Sequence, residues 1–248
     1  MPKFPPITII ILTYNRPVEV RRTIDALYDY LSYEGELHWL IADNTSPGSY
    51  ARDLKHDYKG DKHFDVIQNP KGDRNWASNA NYALSQNTND LTIMLEDDFV
   101  LKTPIDLSPL AALLITNPSL GLIRLGGVQG HTGLNVTMME HDISLYLPQY
   151  RQGMGMLGRI NYWQIDPHSS QLFCYSNHPQ LKHRRFHVAH GLYVEGLGLG
   201  ATEECFAHQV KDNLLFSSSP QIAVPLELAV TYFDHIGVTW RDDMEIAK

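Results

Sequence analysis

The chain has 248 residues, 43% hydrophobic and 19% charged, an ordinary balance for a folded globular protein that leaves no stretch polar enough for a long disordered tail. A formal net charge of −8 argues against a surface devoted to nucleic acid or anionic lipid, and the two cysteines, Cys174 and Cys205, lack metal-ligand or redox spacing. The first apolar run, residues 7–12, is far too short to span a bilayer and lacks a basic start and cleavage site, so the expectation is a soluble, cytoplasmic protein without an integral membrane segment.

The first half alternates strand and helix signals: a strand at 7–12, a helix at about 17–32, a strand at 37–42, a short helix near 49–56 and a strand at 64–68. A helix near 75–85 and a strand at 91–95 follow. Val20, Ile24, Leu27, Tyr28 and Leu31 share one face of the first helix, and Pro17 suits its opening turn. Such a series predicts a largely parallel sheet with right-handed crossovers. A helical run at 107–115 and a strand at 120–125 come next, and then Gly126, Gly127, Gly130, Gly133, Gly153, Gly155 and Gly158 break the periodicity. From 135 to 193 the chain is rich in aromatic residues and histidine, which predicts short antiparallel strands and binding loops. A helix around 202–212 and strands near 222–224 and 228–233 return to the core. Without repeats or a Pro/Ser linker, residues 1–248 are expected to form one domain, regular over about 1–125 and loop-rich over much of about 126–248.

Polar groups gather where strands end, and ligands of open α/β sheets bind there. Glu96, Asp97 and Asp98 close the apolar run 91–95, and their mutual repulsion would be relieved by a hard divalent cation; a solvated turn is the plain alternative. The first strand ends in Thr13, Tyr14, Asn15 and Arg16, suited to a phosphate or to a simple helix cap. Asp43 ends the second strand, where a carboxylate can accept a uracil imide N–H or a ribose hydroxyl, or cap a helix. Gly72, Arg74 and Asn75 belong to a cationic turn after the third strand, which a solvated loop explains almost as well.

These residues together resemble the inverting family 2 glycosyltransferases of the GT-A fold. The run from Ile9 to Arg16 is similar to the family's first-strand signature, and Glu96-Asp97-Asp98 stands where its D-x-D metal motif would be. The resemblance implies an α/β fold with a mostly parallel central sheet flanked by helices and an antiparallel acceptor side, about 1–125 being the nucleotide-sugar-binding half and about 126–248 the acceptor-binding and catalytic half. It implies Asp98 as a direct ligand of Mn²⁺ or Mg²⁺, and His235, in the segment from Phe233 to Gly237, as a second ligand. The stretch from Gly198 to Glu204 resembles the glycine-rich lead into the family's acidic pair, whose second member is the base, so the role carries to Glu204. Glutamate replaces the usual aspartate at both Glu96 and Glu204, and the second change, which moves the base by one methylene, leaves the choice between Glu203 and Glu204 open.

The implied activity is transfer of a sugar from a nucleoside diphosphate sugar, a UDP-sugar by the family's frequent habit, to an acceptor that could be a glycan, a protein, a lipid-linked sugar or a modified nucleic-acid base. A binding module that has lost activity is the alternative, and a nucleotidyltransferase is disfavoured because the loop from Thr13 to Arg16 lacks glycine. Three further features have plain readings beside functional ones. Lys182, His183, Arg184 and Arg185 read as a solvated face or a contact for an anionic acceptor; Tyr162, Trp163 and Trp240 as core aromatics or sugar platforms; His187 and His190 as strand residues on opposite faces.

Overall fold

Every residue from Ile7 to Thr13 is apolar or β-branched, and all are buried, the composition of a strand covered on both faces. The computed structural model describes residues 1–125, 134–152, 156–169, 174–216, 218–225 and 232–237. Within them the order is β1 (Ile7–Thr13), α1 (Pro17–Tyr30), β2 (Leu31–Ser32), β3 (Leu37–Asp43), α2 (Tyr50–Asp57), β4 (Phe64–Gln68), α3 (Trp76–Gln86) and β5 (Leu91–Glu96). Then come β6 (Phe99–Leu101), β7 (Ile105–Asp106), α4 (Ser108–Thr116), β8 (Leu120–Arg124), β9 (Val136–Asp142) and β10 (Arg159–Ile165). The chain closes with β11 (Gln180–His183), α5 (Arg185–His190), α6 (Leu199–Phe216), β12 (Gln221–Pro225) and β13 (Phe233–His235).

One nine-stranded sheet, ordered β4-β3-β1-β5-β11-β8-β12-β10-β9, runs through both halves of the chain. The pairs β4/β3, β3/β1 and β1/β5 are parallel, as the alternating first half predicts. Beyond β5 the pairing is mixed, yet only β11 and β10 oppose the direction of β1. Period-two alternation sorts the side chains between two cores. Ile7, Ile9 and Ile11 pack with Val20, Ile24 and Leu27 of α1 and with α4, while Ile10, Leu12 and Met94 pack with α3, α5 and α6. No helix among the described residues is long and apolar enough to cross a membrane.

Several expectations are corrected. The first helix stops at Tyr30, because Leu31 and Ser32 form the short parallel β2/β7 pair. Tyr28 stays at the rim, its ring stacked on Trp39 and its hydroxyl donating to Asp61 at 2.8 Å. Lys182 is no solvated residue: β11 is inserted between β5 and β8, and Lys182 is only 1% exposed. His187 and His190 lie on α5, not on a strand, and still form no pair, since His187 turns to Lys182 and His190 to the Pro220 carbonyl. Tyr162 is a core aromatic whose hydroxyl meets Asn117. Trp240, the glycines from 126 to 133 and at 153 and 155, and most of the expected strand 228–233 lie outside the described residues.

Gly121 in β8 is a packing requirement of this sheet: a Cβ there would sit 2.8 Å from Pro220 Cβ and 3.1 Å from Phe186 Cδ2. Gly121→Ala should therefore destabilise by about 1–3 kcal/mol, the usual effect of overpacking. Urea denaturation measures it, and a midpoint equal to that of the wild type would show that β8 yields freely.

Candidate active site

The loops that follow β1, β3 and β4 are tied to one another by their own polar groups. Asn15 N–H donates to Ser46 Oγ at 2.7 Å, Thr45 Oγ1 to the Asn69 carbonyl at 2.9 Å, and Asn44 Nδ2 to the Asn75 carbonyl at 3.3 Å. Among the described residues, the non-glycine residues in the left-handed region are Asn15, Thr45 and Arg74, with φ of 52°, 62° and 55°. One falls in each of these loops, and backbone strain of this kind, roughly 1–3 kcal/mol per residue, collects at ligand sites. The Arg74 guanidinium lies over the Tyr14 ring at 5.3 Å, and Asn75 caps α3 by accepting from Ser78 N–H. Gly72, with φ of 58°, takes the one tight turn between Asn69 and Arg74 beside Thr45.

Asp43 does not face open solvent. Its carboxylate is fully buried and accepts from Ser46 N–H at 3.0 and 3.1 Å, Ser46 Oγ at 2.5 Å and Gln68 Nε2 at 3.0 Å. In this arrangement it shapes the turn that carries Thr45, and Ser46 and Gln68 are the partners that sequence inspection overlooked.

The acidic run divides three ways. Asp97, 4% exposed, accepts from Thr13 Oγ1 at 2.8 Å and Arg16 Nη1 at 3.3 Å, while its own carbonyl accepts from Thr23 Oγ1 at 2.7 Å. Thr23 is a hydroxyl on the apolar face of α1, which was the available signal for a buried polar contact. Thr13 also meets the Tyr50 hydroxyl. Asp98 receives Arg16 Nη1 at 2.5 Å on Oδ2, and His235 Nε2 lies 3.3 Å from the same oxygen. Antiparallel pairing explains that approach: β13 sets His235 opposite Phe99, so the next backbone N–H, of Ile236, donates to the Asp98 carbonyl at 2.8 Å. Gly237 is needed there, since a Cβ would come 2.0 Å from Asp98 Oδ2. Asp98 Oδ1 is buried without a hydrogen-bond partner among the described residues. A carboxylate with one oxygen orphaned and the other 3.3 Å from an imidazole nitrogen is a donor set that suits a divalent cation.

Glu96 turns toward the α6 side, where Glu203 adds to its electrostatic load. Burial, then Asp98, Asp97 and Glu203, push Glu96 up to about 8; burial raises Asp97 to about 6 against the pull of Thr13 and Arg16. Helix α6 begins at Leu199, three residues earlier than the sequence suggests, so Glu203 and Glu204 lie beyond its first turn and gain less from the helix dipole. The side chains diverge: Glu203 is half-buried and accepts from Asn177 N–H at 2.7 Å, whereas Glu204 is exposed. The segment leading to α6 is held over the β4 loop by the ion pair of Lys71 with Glu195 and by Asn75 Nδ2 donating to the Leu197 carbonyl at 2.9 Å.

Parallel strands β4-β3-β1-β5, a mixed half beyond them and carboxylates at the end of β5 define an α/β protein of the GT-A type. A family model described as Glycosyl transferase family 2 matches residues 8–169, more than half of the chain, and the chain belongs to that family. Residues 1–349 of S. aureus TarS are similar in fold, with a TM-score of 0.61 at 14% identity over 92% of this chain and 59% of that one. The same TarS fragment in complex with UDP-GlcNAc gives a TM-score of 0.62 at 14% identity, over 93% of this chain and 60% of that one. Mannosyltransferase PcManGT from Pyrobaculum calidifontis, in complex with GDP-Man and Mn²⁺, gives 0.54 at 13% identity, over 90% and 55%. This chain thus spans less than two thirds of the length of each. No curated protein matches the sequence.

Raised carboxyl groups link stability to pH with a definite sign. Glu96 and Asp97 hold protons more tightly folded than unfolded, so above their ordinary values of 4.5 and 3.8 the folded state is progressively penalised, up to about 8 and about 6. In EDTA the melting temperature should fall between pH 5 and pH 8 over that window, and Glu96→Gln should flatten the upper part of the fall. Scanning calorimetry at stepped pH decides; an unchanged slope in Glu96→Gln would remove Glu96 as the origin.

Proposed function

We propose that this chain is an inverting glycosyltransferase that moves a sugar from a nucleoside diphosphate sugar, a UDP-sugar, to an acceptor hydroxyl. The observation that carries it is the end of β5: a buried, partnerless carboxylate oxygen on Asp98, beside Arg16 and His235 and on the same sheet edge as the loops of Thr13–Arg16, Asp43–Thr45 and Gly72–Asn75. Arg16, Asn15 and the backbone around Tyr14 would bind phosphate oxygens; Arg74 and Asn75 would border the nucleoside; Glu96 and Asp97 would orient Asp98 and the ribose. The uracil imide would meet Asp43 by displacing the Gln68 amide. TarS in complex with UDP and with UDP-GlcNAc supports a uridine donor, while the GDP-Man complex of the mannosyltransferase marks the competing base.

Asp98 and His235 would hold Mn²⁺ or Mg²⁺, and the imidazole favours Mn²⁺. Bound there, the cation supplies Lewis-acid neutralisation of the departing diphosphate. In its absence Arg16 supplies the opposing charge to Asp98. At the acceptor side, a glutamate takes the proton of the attacking hydroxyl as the new C1–O bond forms and the C1–O bond to the diphosphate breaks. Glu204, exposed and free of the tie that binds Glu203 to Asn177, is the base in this reading; Glu203 positions the acceptor or a sugar hydroxyl.

Nucleotide-sugar turnover with Mn²⁺ and with EDTA tests the donor and the metal together. UDP release should require Mn²⁺, and Asp98→Asn, isosteric but unable to hold the cation as a carboxylate does, should abolish that Mn²⁺-dependent release. Calorimetry in Mn²⁺ should rank UDP above GDP and CDP; equal affinities would remove the uridine assignment, and unchanged UDP affinity in Asp98→Asn would remove the metal site.

Glu204→Gln should keep UDP and metal binding and lower kcat by ~10²–10⁴-fold, the usual contribution of a general base. Glu203→Gln should instead raise KM for the acceptor. Wild-type turnover in Glu204→Gln at saturating acceptor would move the base to Glu203 or Asp234.

A further inference from the structure

A second cavity, of about 490 Å³, opens at the other end of β5 from the acidic run. It is bounded by the C-terminal half of α3, the start of β5 at Thr92, β11 and α5. Thr92 and Asp97 are separated along the chain by ~16 Å at ~3.3 Å per residue, so the two sites are distinct. Its volume lies within the roughly 300–1,000 Å³ typical of small-molecule pockets.

The lining is one-sided in charge: Lys182, His183, Arg184 and His187 contribute to it, and among the described residues no aspartate or glutamate does. Arg184 is already engaged, by Asp90 at 3.5 Å and the Thr88 carbonyl at 2.6 Å. Lys182 is different. Its Nζ is buried and its partners are all neutral: His187 Nε2 at 3.0 Å, Tyr193 Oη at 3.4 Å and Met94 Sδ at 4.0 Å. His187 Nδ1 lies 2.9 Å from the Gly191 carbonyl, which can only accept, so Nδ1 carries the proton and Nε2 accepts from the lysine. The imidazole therefore cannot neutralise Lys182, and burial alone pushes that ammonium down to about 7. An ammonium taken out of water without a carboxylate costs several kcal/mol, an outlay that an arriving anion would offset. Leu84, Val188 and Leu192 supply an apolar wall to the same cavity, and Val188 and Leu192 are exposed at its mouth.

We propose that this cavity binds a small organic anion, its phosphate or carboxylate group against Lys182 and its apolar portion against Leu84, Val188 and Leu192. Asn81 lies between the cavity and the segment that leads to α6. It lines the cavity and also binds both the Tyr193 carbonyl, at 2.9 Å, and Glu195 Oε1, at 3.1 Å, in the segment that leads to α6.

The probe is n-butyl phosphate, titrated calorimetrically into the full chain in EDTA. Saturable binding is expected for the wild type and for Arg16→Ala, whose change lies at the opposite sheet end. Lys182→Met should lose at least about tenfold in affinity, as expected for removal of a charged hydrogen bond. Its melting temperature without ligand should match or exceed that of the wild type, because an apolar chain of similar length replaces an unpaired buried charge. Val188→Glu, on an exposed residue of α5, brings a carboxylate to the mouth without touching the core and should also abolish binding. Undiminished binding in Lys182→Met or Val188→Glu, loss of binding in Arg16→Ala, or no saturable binding by the wild type at millimolar probe would overturn the proposal.

Discussion

Three consecutive carboxylates end a strand that is buried on both faces, and the neighbouring elements are arranged around that negative charge. Asp97 is held by Thr13 from β1 and Arg16 from the turn before α1, with Thr23 of α1 fastening the carbonyl beneath it. Asp98 shares Arg16 and is closed over by the β13 segment, where only glycine fits at position 237. Glu96 projects toward α6 and meets the field of Glu203. Burial and the neighbouring carboxylates hold the protons of Glu96 and Asp97 above the usual range, and a cation bound beside them would reverse that trend.

Around this centre the loops form a frame held by backbone-directed hydrogen bonds. Asn15, Thr45 and Arg74 each hold a left-handed backbone conformation, and each sits where one loop touches the next. Such strain persists because the surrounding bonds over-determine it. The frame puts guanidinium, amide and hydroxyl groups in fixed positions before any ligand arrives, which lowers the ordering cost of binding.

The half of the sheet beyond β5 carries its polar residues inside. Arg124 and Lys182, each 1% exposed, sit on adjacent strands β8 and β11, and Tyr175, Tyr193 and Gln180 link their surroundings through hydroxyl and amide bonds. Buried cations of this kind are costly to retain in a core that apolar residues could fill, which makes them informative about ligands. Glu203 belongs to this region through Asn177, and its charge also acts on Glu96 at the end of β5.

Much of this was readable from residue order. The parallel half followed from apolar runs alternating with amphipathic helices, and β1, α1, β3, β4, α3, β5 and β8 lie within a few residues of their expected bounds, because burial of a strand's two faces or a helix's one face leaves a periodic imprint. The polar residues at the ends of β1, β3, β4 and β5 were legible for the same topological reason. Long-range pairing was not. Nothing local in Gln180–His183 announces a central strand, since a sequence rich in charge is ordinarily solvated, and only insertion between β5 and β8 buries Lys182. Nor could spacing show that Asp43 turns inward to Gln68, that His235 reaches Asp98, or that Glu203 is tied to Asn177, because each depends on contacts between segments far apart in the chain. Local periodicity determined which residues form elements and which strand ends carry polar groups; tertiary packing decided which of those groups are buried, which are paired and which face a ligand, since burial is a property of what lies across the fold and not of neighbours in sequence.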